Sequence, residues 1–79
     1  MDIEKEIYEL LKEKEIYPMY IGQYETLPVY MVTIEGDWKH DHLYMRNVME
    51  EAGYSQLKEE CLPSGSDWYA STHYFIKTF

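Results

Sequence analysis

The stretch from Gly36 to Gly53 constrains this chain more than any other, because it reads as one helix with both ends written into the sequence. Asp37 can cap the first turn by accepting a hydrogen bond from a free backbone N–H. Gly53 can take the left-handed conformation that closes the last turn. Between them Trp38, His42, Met45, Val48, Met49 and Ala52 fall on one stripe with Asp41 at its edge, so the stripe is expected to pack inward and to carry His42 with it. Lys39, Arg46, Asn47 and Glu50 take the opposite face. A β-prone run flanks the helix on each side, which sets a strand, a helix and a strand at the centre of the fold.

The rest of the chain fits around that unit. Ile3, Ile7, Leu10, Leu11 and Lys14 fall at helical spacing, with Asp2 as a cap and Glu4 and Glu6 near the positive end of the dipole, so a first helix is expected over about 3–14. Its outer side, Glu4, Lys5, Glu9, Lys12 and Glu13, is a solvated mixed-charge face. Pro18 and Gly22 limit any strand at 16–21 to a short edge. Leu27 to Glu35 is the better strand. Tyr30, Val32 and Ile34 make one face and Val29, Met31 and Thr33 the other, both largely apolar, which predicts a central strand covered on two sides. After Gly53 come two β-prone runs, 54–62 and 68–79, around Pro63-Ser64-Gly65-Ser66-Asp67, which predicts a hairpin. Centring its loop on Gly65 sets Leu62 opposite Trp68, Cys61 opposite Tyr69, Glu59 opposite Ser71 and Leu57 opposite His73.

The expected fold is therefore α+β in two layers. Both helices lie on one face of a small three- or four-stranded sheet, mixed or antiparallel, in the order α-(β)-β-α-β-β, with a right-handed crossover through the second helix. Residues 1–79 form a single domain: there is no internal repeat, low-complexity tract or linker.

Fifteen acidic against seven basic residues give a formal charge of −8, which argues against direct contact with DNA, RNA or anionic membranes, since these need clustered Lys and Arg. The longest aliphatic and aromatic run, Val29 to Val32, is far too short to cross a bilayer. A single cysteine, Cys61, rules out an internal disulfide, and with no signal peptide evident the expected setting is reducing and cytoplasmic. Nine tyrosines supply large, stiff contact surfaces with polar tips.

Among residues able to do chemistry, His40-Asp41-His42 suggests a metal set at first sight. Positions two apart on a helix point about 200° from each other, so these imidazoles cannot grip one ion. His42 and His73 are the better pair, one facing the sheet from the second helix and one facing the helix from the last strand. With Glu59, Ser71 and Trp38 they form the candidate ligand-binding set, and a hydrogen-bonded polar pair is the plainer expectation for them. Cys61 and His73 are separated by roughly 13 Å in the register above, too far for a nucleophile and its base, and Cys61 reads as a small buried residue. The loop 64–67 lacks the lysine of a phosphate-binding loop and reads as a turn. No catalytic residue, metal or cofactor is expected.

The functional expectation is a non-catalytic interaction module. Two helices can cover only one face of the sheet, leaving Val29 and Met31, with Trp68 or Tyr69 from the hairpin, as an apolar surface for a homodimer or a protein partner. The alternatives are a small-ligand or metal-binding protein, enzyme included, using His42 and His73, and an acidic inhibitor that imitates nucleic acid.

Overall fold

The computed structural model describes residues 3–24, 28–61 and 68–78. In chain order these give α1 (Ile3–Glu13), β1 (Tyr20–Gln23), β2 (Val29–Gly36), a π-helical segment Trp38–Leu43 running directly into α2 (Tyr44–Glu51), β3 (Tyr54–Cys61) and β4 (Tyr69–Lys77). The sheet is antiparallel throughout, in the order β1-β2-β4-β3. The α+β architecture expected from the sequence is what the chain adopts, with antiparallel pairing in place of the mixed alternative. The turn 63–67, the cap Asp2 and Leu27 lie outside the described residues. No described helix is long and apolar enough to cross a membrane.

Both helices end on a left-handed residue, of a different type in each. At the end of α1, Ile16 N–H donates to Leu11 O at 2.9 Å and Glu15 N–H donates to Lys12 O at 3.0 Å, the paired bonds of a Schellman motif. Its left-handed position is Glu15, with φ 60°. After α2 the left-handed residue is Gly53, φ 97°, as its type suggests. Gly53 O then accepts both the N–H and the hydroxyl of Thr78, at 2.8 and 2.7 Å, tying the helix exit to the end of β4.

The start of the second helix departs from regular α geometry for a reason that can be read in its side chains. Asp37 Oδ1 accepts from His40 N–H at 2.6 Å, as a cap should, and Asp41 Oδ2 returns to accept from Asp37 N–H at 2.8 Å. A reciprocal capping box normally draws its second carboxyl from the residue three after the cap. Here that residue is His40, and the carboxylate comes one later. The widened turn, in which His42 N–H donates to Asp37 O at 3.1 Å, five residues back, lets Asp41 take the role. Its carboxylate then occupies the space where any side chain on Gly36 would have to go.

One core lies between the helices and the sheet. Ile7 and Leu11 of α1 and Met45, Val48 and Met49 of α2 pack on Tyr30, Val32, Ile34, Tyr54 and Phe75. The strand pairs Tyr30 with Phe75, Val32 with His73 and Ile34 with Ser71 place both β4 polar residues on this covered face. Opposite it, Tyr20, Val29, Met31, Thr33, Thr72, Tyr74 and Ile76 share the face away from the helices. Thus β2 is central, yet no described helix covers its second face.

Two substitutions report on the helix ends. Asp37→Ala is expected to cost about 0.5–2 kcal/mol, as lost caps do. Glu15→Gly is expected to raise stability by up to about 1 kcal/mol by removing the left-handed penalty of a side chain there. Denaturant unfolding of both variants against wild type measures each, and opposite signs are the expected outcome.

Candidate functional site

The hairpin register decides what meets what. β3 and β4 pair Glu59 with His73 and Cys61 with Ser71, two residues away from the expected pairing. A shift of two preserves the faces, so the predicted company of Glu59, Cys61, Ser71, His73 and Phe75 survives while each contact changes. A bulge at Leu57 does alter the faces. Residues 56 and 59 are three apart and in a regular strand would point to opposite sides. The extra residue puts Gln56 and Glu59 on the same side, against His73, and turns Leu57 out to solvent.

Both histidines are buried, His42 completely and His73 to within 1 %. His42 Nδ1 lies 3.0 Å from His73 Nε2. The other nitrogen of His42, Nε2, lies 3.1 Å from Gly36 O and 3.0 Å from Tyr69 O. Both of those are carbonyl acceptors, so Nε2 carries a hydrogen and donates to them. The far nitrogen of His73, Nδ1, lies 2.7 Å from Gln56 Oε1 and 3.8 Å from Glu59 Oε1. The Tyr69 ring stacks on His42 with centroids 4.3 Å apart and planes within 5°.

Glu59 is fixed from its other oxygen. The Ser71 hydroxyl donates to Oε2 at 2.8 Å and the Cys61 thiol donates to the same atom at 3.3 Å. Burial is the largest influence on His73 and pushes its pKa down to about 4; Glu59 pulls it up, and His42 and Arg46 push it down. The Cys61 thiol is held above its ordinary value by desolvation and then by the hydrogen bond to Glu59. An exposed thiol in that protonated state is a poor nucleophile. The Ser71 hydroxyl donates to a carboxylate and not to an imidazole.

Of the residues expected to form this site, the structure brings His42, His73, Glu59 and Ser71 into one connected cluster. Trp38 is turned away, 45 % exposed. It stands in the first turn, past the last β2–β4 pair, and side chains on a helix lean towards its N-terminus, which carries the indole beyond the sheet. Cys61, read as buried, is exposed at the end of edge strand β3. Tyr69, assigned to an apolar interface, faces the helices and covers His42. Val29 and Met31 do lie on the open face, and the exposed Trp68 donates its Nε1–H to Glu35 at 2.7 Å. Gln56 is the cluster member that sequence reasoning missed; Tyr69 was expected on the face of Ser71 and His73 but not stacked on His42. Only the bulge puts Gln56 there, and no local pattern around Leu57 announces it.

A groove of about 250 Å³ opens on the opposite side of the sheet, lined by Tyr24, Val29, Leu57, Lys58 and Tyr74. Tyr24 and Tyr74 meet edge to face at 5.1 Å, and the Lys58 ammonium lies over the Tyr74 ring at 4.6 Å while pairing with Glu60 at 3.0 Å.

No protein-family model, no curated protein and no solved structure matches this chain.

The burial of His73 predicts a pH dependence whose sign follows from its depressed pKa. Between its ordinary value of 6.5 and about 4 the unfolded imidazole is protonated and the folded one is not. The contribution to stability is therefore full above pH 6.5 and is lost as pH falls through 4, by roughly 3 kcal/mol in all. Unfolding free energies measured from neutral pH downward should show wild type losing more stability than His73→Gln over this window.

Proposed function

We propose that this chain is a non-catalytic interaction module that binds a second copy of itself through the open face of its sheet. The observation that carries the reading is the composition of that face: Tyr20, Val29, Met31 and Ile76 project from it with no described helix over it, and at one side is the groove where Tyr24 and Lys58 already bury Tyr74. Aromatic residues and methionine, here Tyr20 and Met31, are among those that protein interfaces enrich.

Charge supports a second copy as the occupant. Carboxylates gather on the helical side, with Glu4, Glu6, Glu9 and Glu13 on α1 and Glu50 and Glu51 on α2. The open face carries far less charge: Lys58 pairs with Glu60, and Glu35, which accepts from the Trp68 indole, leaves one net negative charge there. Two copies meeting there keep their acidic layers at the far sides of the dimer, and a two-fold axis closes the assembly. Strands of four, eight, eight and nine residues, about 4.8 Å apart, cover roughly 470 Å² per side. That is short of the roughly 800 Å² per partner of standard interfaces, so the dimer is expected to be weak, with a Kd on the order of micromolar.

The exposed thiol of Cys61 suits a reducing, cytoplasmic setting. Nucleic-acid mimicry is the weaker use of the acidic surface, because Lys5 and Lys12 interrupt the α1 carboxylates and Arg46 pairs with Glu50 at 2.9 Å.

Sedimentation equilibrium over a concentration series tests the reading. Wild type is expected to approach dimer mass in the high micromolar range, and Met31→Glu, with unchanged unfolding midpoint, to stay monomeric. A wild type that remains monomeric at millimolar concentration refutes self-association.

A further inference from the structure

We propose that the slot between His42 Nδ1 and His73 Nε2, with the Glu59 carboxylate beside it, is a binding site for a divalent transition-metal ion of the zinc class. The argument starts from which nitrogens carry hydrogens. His42 Nε2 is committed as a donor by two backbone carbonyls, Gly36 O and Tyr69 O. With Gln56 Oε1 turned towards it at 2.7 Å, His73 Nδ1 donates as well in this arrangement. A neutral imidazole has one N–H, so both near nitrogens are left as bare lone pairs facing each other at 3.0 Å. Two facing lone pairs in a dry site repel, and a cation between them removes the conflict.

The geometry then selects the cation. Ligand atoms from His42, Glu59 and His73 all lie within 4.8 Å of one another. Imidazole nitrogens bound to zinc at about 2.0–2.1 Å in a tetrahedron stand roughly 3.3 Å apart with their lone pairs converging to one side of the N–N line, so the pair has to open by a few tenths of an ångström and each ring has to turn by roughly 35°. Two imidazoles and a carboxylate suit a borderline ion better than calcium or magnesium, which prefer all-oxygen shells. The far nitrogens are already held by oxygen acceptors, the outer-shell arrangement that orients metal-bound histidines. Glu59 balances one of the two positive charges, and its own orientation is set by the Ser71 hydroxyl. Access is from the edge strand β3, where Glu59 is partly exposed and the Leu57 bulge interrupts the ladder.

Gln56 works as the switch between two hydrogen-bond patterns. Turning its amide by 180° presents N–H to His73 Nδ1, moves the His73 hydrogen to Nε2 and lets that nitrogen donate to His42 Nδ1. This is the ion-free network, fully satisfied and neutral. With the amide oxygen towards His73, as the structure has it, the slot is set for the ion. Binding from the neutral network releases no proton overall: the His73 hydrogen moves from Nε2 to Nδ1, and the metal takes the two freed lone pairs.

The site is separate from the open sheet face and stands or falls independently of the dimer. The test is competition for Zn²⁺ against a chromogenic chelator at neutral pH, with Mg²⁺ as control, on the full chain. One Zn²⁺ per chain is expected, together with movement of both His42 and His73 ring signals by NMR and no response to Mg²⁺. Glu59→Gln should weaken binding tenfold or more, and Gln56→Glu, which fixes an oxygen on His73 Nδ1, should tighten it by roughly tenfold. Cys61→Ser and His40→Ala, which remove the exposed thiol and imidazole, should leave it unchanged. Absence of binding, loss of binding in Cys61→Ser or His40→Ala, or binding that leaves both buried ring signals unmoved would each overturn the proposal. So would wild-type affinity in both Glu59→Gln and Gln56→Glu.

Discussion

The interaction on which the polar half of this structure depends is the pair of hydrogen bonds from His42 Nε2 to the carbonyls of Gly36 and Tyr69. Those two residues are themselves the last cross-strand pair of β2 and β4, so one imidazole fastens the end of the sheet to the start of the second helix. A buried carbonyl without a partner costs about 1–3 kcal/mol, and here one donor serves two of them. Everything else in the cluster follows from the choice of tautomer that this imposes. His42 Nδ1 has to be an acceptor, His73 has to answer it with a hydrogen or share a cation with it, and Gln56 and Glu59 settle which.

The same end of the molecule explains why the second helix starts irregularly. Gly36 must expose its carbonyl to His42 and leave room for the Asp41 carboxylate, and Asp37 must cap the turn. A regular α turn would present His40, three after the cap, for the reciprocal bond. The π-helical turn brings Asp41 there instead and still delivers His42 to the sheet. Local hydrogen-bond demand, not helix propensity, sets this geometry.

Much of this was legible in the residues. Asp37 and Gly53 marked the helix boundaries, the 3.6-residue spacing put His42 inward, and alternation along β4 put Ser71 and His73 on the helix side. What could not be read was anything that depended on counting residues through an irregularity. The Leu57 bulge brings Gln56 beside His73, and the hairpin pairing is displaced by two because turn length, which fixes register, is not encoded by a single Pro and Gly. Trp38 was misread because stripe position says nothing about whether the sheet extends beneath the first turn. Alternation along β4 put Tyr69 on the face of Ser71 and His73 as well, but not the stacking of its ring on His42, which depends on where the first turn of the second helix lies over the sheet. Glu15, with a side chain in a left-handed cap, is legible only once the α1 terminus is seen.

The account rests on His42 being held as a single tautomer, and long-range ¹H–¹⁵N correlation of the imidazoles at neutral pH reads that directly. His42 is predicted to show a protonated Nε2 in slow exchange and an unprotonated Nδ1, with or without added metal ion. A protonated Nδ1, or averaged nitrogens that exchange rapidly with water, would contradict the double carbonyl anchor and the site built on it.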